Sequence, residues 1–376
     1  MKKVILGLSG GVDSSVALKL LKDEGYDVEA MFMRNWDSAA NNDILGNPTL
    51  TNDVCPQEVD YQDALKVAES LNTTLHRIDF IEEYWDTVFK YFLTEYKKGR
   101  TPNPDIMCNK YIKFNAFLKE AERLGADYIA MGHYAQVRHE KDKSYLLRGA
   151  DDNKDQTYFL SMLTQAQLRK AIFPIGHLQK ADVRRIADEA NLATASKKDS
   201  TGICFIGERN FKQFLKNYLP AKPGNMVTVD GKVIGKHDGL MYYTIGQRKG
   251  LGIGGSNEYK SEAWFVCGKD LEKNELIVGQ GHDSIYLESN WCYATDYNWI
   301  CDAPEEGHEY TAKFRYRQKD IPVTIEYVDD NKIKVIYKGL CRAVTPGQAV
   351  VIYDKEVCLG GALIDSVYYN DERRKY

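Results

Sequence analysis

The stretch VILGLSGGVDSS, residues 4–15, decides the fold of this chain. Its apolar start predicts a strand, and a second apolar run follows the glycines at helical spacing. Gly10 and Gly11 let the backbone turn sharply, which brings N–H groups and the positive end of the helix close to an anion. The stretch therefore predicts a strand, a phosphate-binding loop and a helix.

Asp13 distinguishes this loop from the common phosphate loop G-x-x-x-x-G-K-[ST], which carries a lysine. A triphosphate would repel the Asp13 carboxylate unless a divalent cation stood between them, which predicts Mg²⁺. The alternative is that Asp13 caps the helix and that the glycines form an ordinary tight turn. The run resembles the pyrophosphatase loop of the ATP-pyrophosphatase superfamily, whose members cleave ATP between its α and β phosphates and adenylate a substrate.

Length and composition set limits on the rest. The chain has 376 residues, 43% hydrophobic and 28% charged, which is typical of a soluble globular protein of two or three domains. No apolar run approaches the roughly 20 residues of a membrane-spanning helix, and an N-terminal strand leaves no room for a signal peptide. A net charge of −4 requires any nucleic acid to meet local basic patches. We predict a cytoplasmic protein without a membrane partner.

The eight cysteines form no C-x-x-C pair, which argues against a zinc finger or ribbon. Without a secretory signal, they also argue against a disulfide framework. Each cysteine is therefore expected to be either a buried apolar residue or a reactive thiol in a special setting.

Strand and helix patterns alternate up to residue 133. After the first helix, the predicted elements are a strand at 28–33, a helix at 57–71, a strand at 75–80, helices at 83–98 and 110–124, and a strand at 126–133. This order predicts an α/β fold with a doubly wound parallel sheet, and the superfamily resemblance implies the adenine nucleotide α-hydrolase type. Ligands bind at the carboxyl ends of such strands, where the loop after Gly7, Met33 and Gly132 are expected.

The pattern changes near residue 171, and from about residue 286 short alternating stretches separated by turns dominate. We predict a catalytic domain over 1–170, to which a cysteine loop at 196–206 returns. A small mixed central domain would occupy 171–285, and a C-terminal antiparallel β-barrel would occupy 286–376.

TPNPDIMCNK, residues 101–110, is the second informative stretch. Asp105 and Cys108 lie three residues apart just before a helix, so they share its first turn if the helix begins near Asp105. There the helix dipole and Lys110 would lower the pKa of the Cys108 thiol. The alternative is a proline-bounded loop with a capping aspartate and a buried cysteine.

Cys204 lies in a polar segment with Lys197 and Lys198 upstream, which favours an accessible thiolate. The apolar neighbours Ile203 and Phe205 equally suit a small residue that fills a core.

Five blocks together carry a resemblance that covers essentially the whole chain. They are residues 9–15, 101–110, 154–160, 202–205 and 243–252. In this order they resemble the bacterial tRNA-specific 2-thiouridylase family. Only the first block is shared widely with other ATP pyrophosphatases.

The resemblance implies an ATP-dependent reaction in which the C2 oxygen of the wobble uridine is adenylated and replaced by sulfur. Cys204 would carry a persulfide. Cys108 would attack or release the sulfur and can close a disulfide with Cys204, and Asp105 would be the acid/base residue. A thiolate or persulfide is the best protein nucleophile for displacing AMP at neutral pH.

The resemblance also assigns binding residues and partners. The implied nucleotide contacts are Gly7, Leu8, Ser9, Gly10, Gly11, Val12, Asp13, Ser14, Met33 and Gly132. The implied tRNA contacts are Asn103, Pro104, Asp105, His133, Lys154, Asp155, Gln156, Arg315, Tyr316 and Gln348. ATP and Mg²⁺ are the expected cofactors. The expected partners are the tRNAs for Lys, Glu and Gln, and a cysteine desulfurase or sulfur-relay protein.

Two rival interpretations remain at this point. One is another adenylating ATP-pyrophosphatase ligase that acts on a small molecule, which leaves the two cysteine motifs and the barrel without a role. The other is an RNA-binding relative that has lost catalysis, against which the intact loop, Asp105, Cys108 and Cys204 argue. Pyrophosphate release from ATP that depends on added tRNA would separate the three.

Overall fold

The stretch at 4–15 forms a strand, Lys3–Gly7, and a helix, Val12–Asp23, joined by the loop at 8–11. The strand is fully buried from Val4 to Leu6 because apolar side chains alternate toward both faces of a covered sheet. The predicted strand–loop–helix unit is confirmed. The computed structural model describes residues 1–48, 56–199, 206, 210–253 and 262–376.

The elements are numbered in chain order. The strands are β1 (Lys3–Gly7), β2 (Asp27–Arg34), β3 (Leu75–Asp79), β4 (Tyr128–Ala130), β5 (Ala135–Glu140), β6 (Lys143–Arg148), β7 (Ala171–Ile172), β8 (Gly224–Thr228), β9 (Val233–His237), β10 (Trp264–Asp270), β11 (Glu275–Gln280), β12 (Glu288–Trp299), β13 (Tyr310–Lys313), β14 (Ile321–Asp329), β15 (Lys332–Arg342), β16 (Ala349–Asp354), β17 (Val357–Tyr369) and β18 (Glu372–Arg373). The α-helices are α1 (Val12–Asp23), α2 (Pro56–Ser70), α3 (Ile81–Tyr84), α4 (Lys90–Lys97), α5 (Pro104–Cys108), α6 (Phe117–Arg123), α7 (Thr157–Leu160), α8 (Gln165–Arg169), α9 (Lys180–Glu189) and α10 (Phe211–Lys216). Trp85–Phe89 and Asn109–Ala116 are π-helical, and Leu240–Tyr242 and Ile285–Leu287 are short 3₁₀ helices.

The first sheet has the order β3-β2-β1-β4-β7, and all its strand pairs are parallel. Leu6 packs with Val16 of α1 on one face, and Ile5 packs with Phe114 of the helical run after α5 on the other. Helices therefore cover both faces, and the predicted doubly wound α/β fold is confirmed.

The boundary predicted at residue 170 cuts this sheet. β7 pairs with β4, and α9 packs Val183 and Ala187 into the same core as Val16. A two-residue strand is too short to recognise from sequence periodicity, so the pattern of apolar residues does not reveal that β7 belongs to this sheet.

The second sheet has the order β10-β11-β8-β9 and is mixed, because β11 and β8 run parallel while the other pairs are antiparallel. β8 and β9 form a hairpin about Asp230-Gly231. Gly231 has a φ of +90°, which a residue with a side chain rarely adopts.

Six antiparallel strands form the C-terminal barrel in the order β12-β15-β14-β13-β16-β17, and pairing of β12 with β17 closes it. The predicted barrel is confirmed. One connection was not predicted: β17 also pairs with β6, so the hairpin β5–β6 of the first domain extends the barrel sheet.

Lys269 of β10 joins the second sheet to the first domain. Its side chain is buried, at 4% exposure, and its Nζ donates a 2.7 Å hydrogen bond to the backbone oxygen of Gly99. Burial lowers the pKa of Lys269 to about 7, because a charged ammonium is poorly solvated there.

We expect stability to depend on pH through this lysine. Between the folded pKa of about 7 and the ordinary value of 10.5, the unfolded chain binds the extra proton, so stability rises with pH. The free energy of unfolding of the wild type, measured with urea and compared with that of Lys269→Met, should rise by up to about 1.4 kcal/mol per pH unit across this window. Lys273→Met, which replaces an exposed lysine, is the control. If the free energy of unfolding of Lys269→Met followed pH in parallel with that of the wild type, the lowered pKa of Lys269 would be contradicted.

Candidate functional site

The loop between β1 and α1 has a tight backbone that only glycine allows. Gly10 has a φ of +74°, and a Cβ there would lie 2.1 Å from the backbone oxygen of Asp60. The Ser14 hydroxyl accepts from the Ser9 N–H at 3.2 Å and donates to the Gly11 oxygen at 3.0 Å. These bonds leave the first turn of α1 preorganised at the end of β1, as an anion site requires.

Three predicted nucleotide positions meet at this edge of the sheet. A Cβ on Gly132 would lie 2.9 Å from the Ser14 nitrogen, so the end of β4 touches the start of α1. A Cβ on Gly7 would lie 2.6 Å from Met131 Sδ and 3.4 Å from Met33 Cε. The carboxyl ends of β1, β2 and β4 thus converge, as predicted, and the structure adds Met131 to them.

Asp13 is paired with a lysine from a distant helix. Lys180 Nζ lies 2.7 and 2.9 Å from the two carboxylate oxygens of Asp13, and the Tyr134 hydroxyl donates to the same carboxylate at 2.7 Å. Lys180 therefore supplies positive charge beside Asp13, and the divalent cation expected there stays a prediction. No local pattern marks this pair, since 167 residues separate its members.

Asp199 forms ion pairs with three basic side chains, one of which also binds Asp13. Lys154, Lys180 and Arg184 approach its carboxylate at 2.8, 2.9 and 2.7 Å. Although partial burial raises the pKa of Asp199, the hydrogen bonds from Lys154 and Lys180 hold it well below its usual range. The predicted tRNA contact Lys154 is thereby linked through Asp199 to the phosphate loop.

The predicted helix around Cys108 begins at Pro104, earlier than the expected residue 110. The Asn103 side chain caps it by accepting from the Asp105 N–H at 3.1 Å, and Pro104 at the first position needs no donor. Asp105 and Cys108 share this opening helix, as predicted. Asp105 is half-buried, whereas the Cys108 side chain is buried, at 1% exposure.

A π-helical segment, Asn109–Ala116, continues directly from α5. Such segments widen a helix and occur often at functional sites. Asn109 donates from Nδ2 to the Phe159 oxygen at 3.1 Å, and the Phe159 ring packs on Tyr316 with centroids 4.4 Å apart. The Tyr316 hydroxyl donates to the Lys154 oxygen at 3.4 Å. The structure therefore brings the Cys108 helix, the 154–160 block and the barrel together.

Several predicted tRNA contacts have partners inside the chain. The Asp155 carboxylate is buried and accepts from the Gly149 N–H at 3.1 Å and from the Thr157 hydroxyl. Gln156 Oε1 accepts from the Tyr134 N–H at 3.0 Å, and Gln348 Nε2 donates to the Thr101 oxygen at 2.7 Å. These side chains position neighbouring segments in this state.

His133 is buried between the rings of Phe114 and Phe173, each 5.9 Å away. Burial holds its pKa well below the ordinary value, so the ring is neutral at pH 7. Its predicted contact with tRNA stays a prediction.

Arg315, another predicted tRNA contact, is bonded inside the chain, and its contact with tRNA stays a prediction. Its Nη2 donates to the backbone oxygens of Ile245 and Ala343 and to the Thr345 hydroxyl, at 2.7–2.9 Å. Burial lowers the pKa of Arg315. This guanidinium joins the central domain to the barrel, whereas the neighbouring Arg317 is exposed.

The predicted persulfide cysteine, Cys204, lies outside the described residues. No helix of the described part of the chain is long and apolar enough to cross a membrane.

The fold defines an α/β protein in which the 154–160 block contacts the Cys108 helix and, through Asp199 and Lys180, the start of α1. Family models described as the tRNA methyl transferase HUP domain, the tRNA methyl transferase PRC-barrel domain and the aminomethyltransferase beta-barrel domain match residues 2–208, 212–280 and 289–364.

The relatives most similar in sequence among those compared share one name. The tRNA-specific 2-thiouridylase MnmA of Acholeplasma laidlawii is 59% identical, covering 100% of this chain and 99% of the relative. The one from Lacticaseibacillus paracasei is also 59% identical, over 100% of this chain and 97% of the relative. This chain belongs to the tRNA-specific 2-thiouridylase family. A solved 4-thiouridine synthetase–RNA complex with bound ATP covers 57% of this chain and 50% of its own, at 17% identity and a TM-score of 0.33, too low to carry an argument.

We expect Arg315→Met to destabilise the protein by about 1–3 kcal/mol, because it leaves buried carbonyl oxygens without their donor. Arg317→Ala should change stability by less than about 0.5 kcal/mol, since its side chain is at the surface. Urea unfolding of both variants measures the difference. Equal losses would mean that the Arg315 hydrogen bonds contribute no more than a surface charge.

Proposed function

We propose that this chain is an ATP-dependent tRNA-uridine 2-sulfurtransferase that thiolates the wobble uridine of tRNA. The observation that carries the proposal is full-length identity of 57–59% to relatives named tRNA-specific 2-thiouridylases. The contacts of the 154–160 block with the Cys108 helix and, through Asp199 and Lys180, with the start of α1 support it. The tRNAs for Lys, Glu and Gln are the proposed acceptors, and the cytoplasm is the proposed location.

The nucleotide site fits ATP, since glycine backbone and the N-terminus of α1 face the phosphate position. Lys180 would neutralise the pyrophosphate as it leaves, and Asp13 would hold Lys180 in place. The described residues contain no group of three or more side chains suited to a metal. Mg²⁺ is therefore proposed as a companion of the ATP phosphates, held without a dedicated protein cage.

The proposed reaction has three steps. The C2 oxygen of uridine attacks the α-phosphorus and pyrophosphate leaves. The terminal sulfur of a Cys204 persulfide then attacks C2, and AMP leaves with the oxygen. Finally the Cys108 thiolate attacks the Cys204 sulfur, which releases 2-thiouridine and forms a Cys108–Cys204 disulfide for a reductant to reopen. Asp105, in the same opening helix as Cys108, would accept the thiol proton. A cysteine desulfurase or a sulfur-relay protein is the proposed persulfide source.

The proposal is tested by pyrophosphate release from ATP with and without unmodified tRNA. Release that requires tRNA, followed by 2-thiouridine once a persulfide donor is added, is the expected result. Release that requires a small amide donor would identify a ligase. Binding of tRNA without any release would identify an inactive relative.

We expect Lys180→Met to lower kcat/KM for ATP by about 10- to 100-fold, the worth of a charged hydrogen bond. Lys180→Arg should recover part of this loss because it keeps the charge. Arg185→Met, on the exposed face of the same helix α9, is the matched control and should match the wild type. The assay is AMP formation at saturating tRNA, and wild-type kinetics in Lys180→Met would remove Lys180 from the reaction.

We expect Cys108→Ser and Cys204→Ser to bind ATP and tRNA but to form no 2-thiouridine from a persulfide donor. Cys108→Ser should still carry the persulfide, whereas Cys204→Ser should carry none at residue 204. Mass spectrometry after desulfurase treatment reads this directly. Cys301→Ser, in the barrel domain, serves as the control. Persulfide mapped to another cysteine would overturn these roles.

A further inference from the structure

The block at 243–252 belongs to the central domain and has no part in the reaction proposed above. Tyr243 and Ile245 at its start and Leu251 near its end are buried, at 5%, 2% and 5% exposure. Arg248 and Lys249, which lie between them, are exposed. The apolar residues therefore anchor both ends of a loop in the core, and two adjacent cations are presented at its tip.

Hydrogen bonds fix the conformation of this loop. The Gln247 N–H donates to the Thr244 oxygen at 2.9 Å, and Gln247 Oε1 accepts from the Thr244 N–H at 3.0 Å. Gln247 Nε2 donates to the Lys249 oxygen at 2.9 Å. Gly246 and Gly250 have φ values of +81° and +79°, a conformation that favours glycine. The two cations are thus carried on a fixed backbone, as a binding element requires.

The loop lies where the first domain and the barrel meet. Thr244 Oγ1 is 3.4 Å from Thr101 Oγ1, in the segment that leads into α5. The Ile245 oxygen accepts from Arg315 Nη2 at 2.8 Å, and a Cβ on Gly246 would lie 2.8 Å from a side chain of the barrel domain. The loop therefore contacts both neighbouring domains at once.

These contacts place the two cations near the residues expected to touch the target base. Asn103, the first of those residues, follows Thr101 by two positions. Lys249 follows Thr244 by five positions, and a chain spans at most about 3.6 Å per residue, so their Cα atoms are within about 18 Å of each other. Both cations are therefore close enough to Asn103 to contact the same short stretch of an anticodon arm.

We propose that Arg248 and Lys249 bind backbone phosphates of the anticodon arm beside the target uridine. Cations that contact phosphates fix the register and orientation of a nucleic acid without reading its sequence. Because the chain has a net charge of −4, RNA must bind through local patches of this kind. The exposed Arg317 extends the patch onto the barrel. The proposal rests on the proposed action of this chain on tRNA.

The test measures the binding of unmodified tRNA to the full chain as a function of salt concentration. Each phosphate contact releases about 0.7–0.9 counterions, so Arg248→Ala/Lys249→Ala should lower the slope of log Kd against log salt concentration by about 1.4–1.8. The same release predicts binding about 25- to 60-fold weaker at about 0.1 M salt. Arg248→Lys/Lys249→Arg, which keeps both charges, should retain the slope. In the alanine variant KM for tRNA should rise, whereas kcat for AMP formation should not change.

Lys232→Ala/Lys236→Ala is the matched control, because it removes the same charge from the same domain. Both lysines are exposed and lie beside or in β9, at the edge of the second sheet opposite β10. The loop is bonded to β10, since the Gly246 N–H donates to the Val266 oxygen at 2.8 Å. The control should keep the wild-type slope, and all these variants should keep the wild-type thermal midpoint because exposed side chains are replaced.

Three results would overturn the proposal. An unchanged slope in Arg248→Ala/Lys249→Ala would make the block a solvated turn. An equal loss in Lys232→Ala/Lys236→Ala would show a response to net charge without a site. Normal tRNA binding with slower persulfide transfer from a desulfurase would assign the two cations to an acidic protein partner. A wild-type protein that binds tRNA through this loop but forms no 2-thiouridine would refute the proposed function alone.

Discussion

The ion pair between Asp13 and Lys180 is the contact on which the site depends. It ties the first turn of α1 to the start of α9, and Lys180 also contacts Asp199, which Lys154 and Arg184 hold from the other side. Removing one member of a buried ion pair destabilises a protein because the other charge is left buried without a partner. Phosphates that bind at the loop would compete with Asp13 and Asp199 for Lys180. Nucleotide binding would therefore weaken the ion pairs around Asp199.

A second constraint acts on the helix that carries Cys108. The segment leading into it is bonded to both other domains: Lys269 donates to Gly99, and the Thr101 N–H and oxygen pair with Pro346 and Gln348 of the barrel domain. A Cβ on Gly347 would lie 3.0 Å from the Thr101 carbonyl carbon, so the contact is close. The direction in which α5 starts is therefore set by all three domains.

Local patterns in the sequence were enough to predict those elements whose conformation depends on residues nearby in the chain. The strand and loop before α1, the parallel sheet and the C-terminal barrel follow from spacing of apolar residues and turns. What was missed depends on distant pairing: β7, with two residues, has no periodicity, and the β5–β6 hairpin joins the barrel only through β17. The pair of Asp13 and Lys180 likewise corresponds to no local pattern in either segment.

The predicted tRNA contacts fall into two groups, those that are partly exposed and those that are hydrogen-bonded inside the chain. Lys154 and Tyr316 come together through Phe159 and the Cys108 helix, and both remain partly exposed. Asp155, Gln348 and one end of Arg315 are bonded inside the chain. A sequence motif marks residues that a site needs, but it does not separate those that touch a ligand from those that hold the contacting segments in position. In this chain Gln348 Nε2 donates one N–H to the Thr101 oxygen at 2.7 Å, which holds the segment before α5 and leaves the second N–H for a ligand.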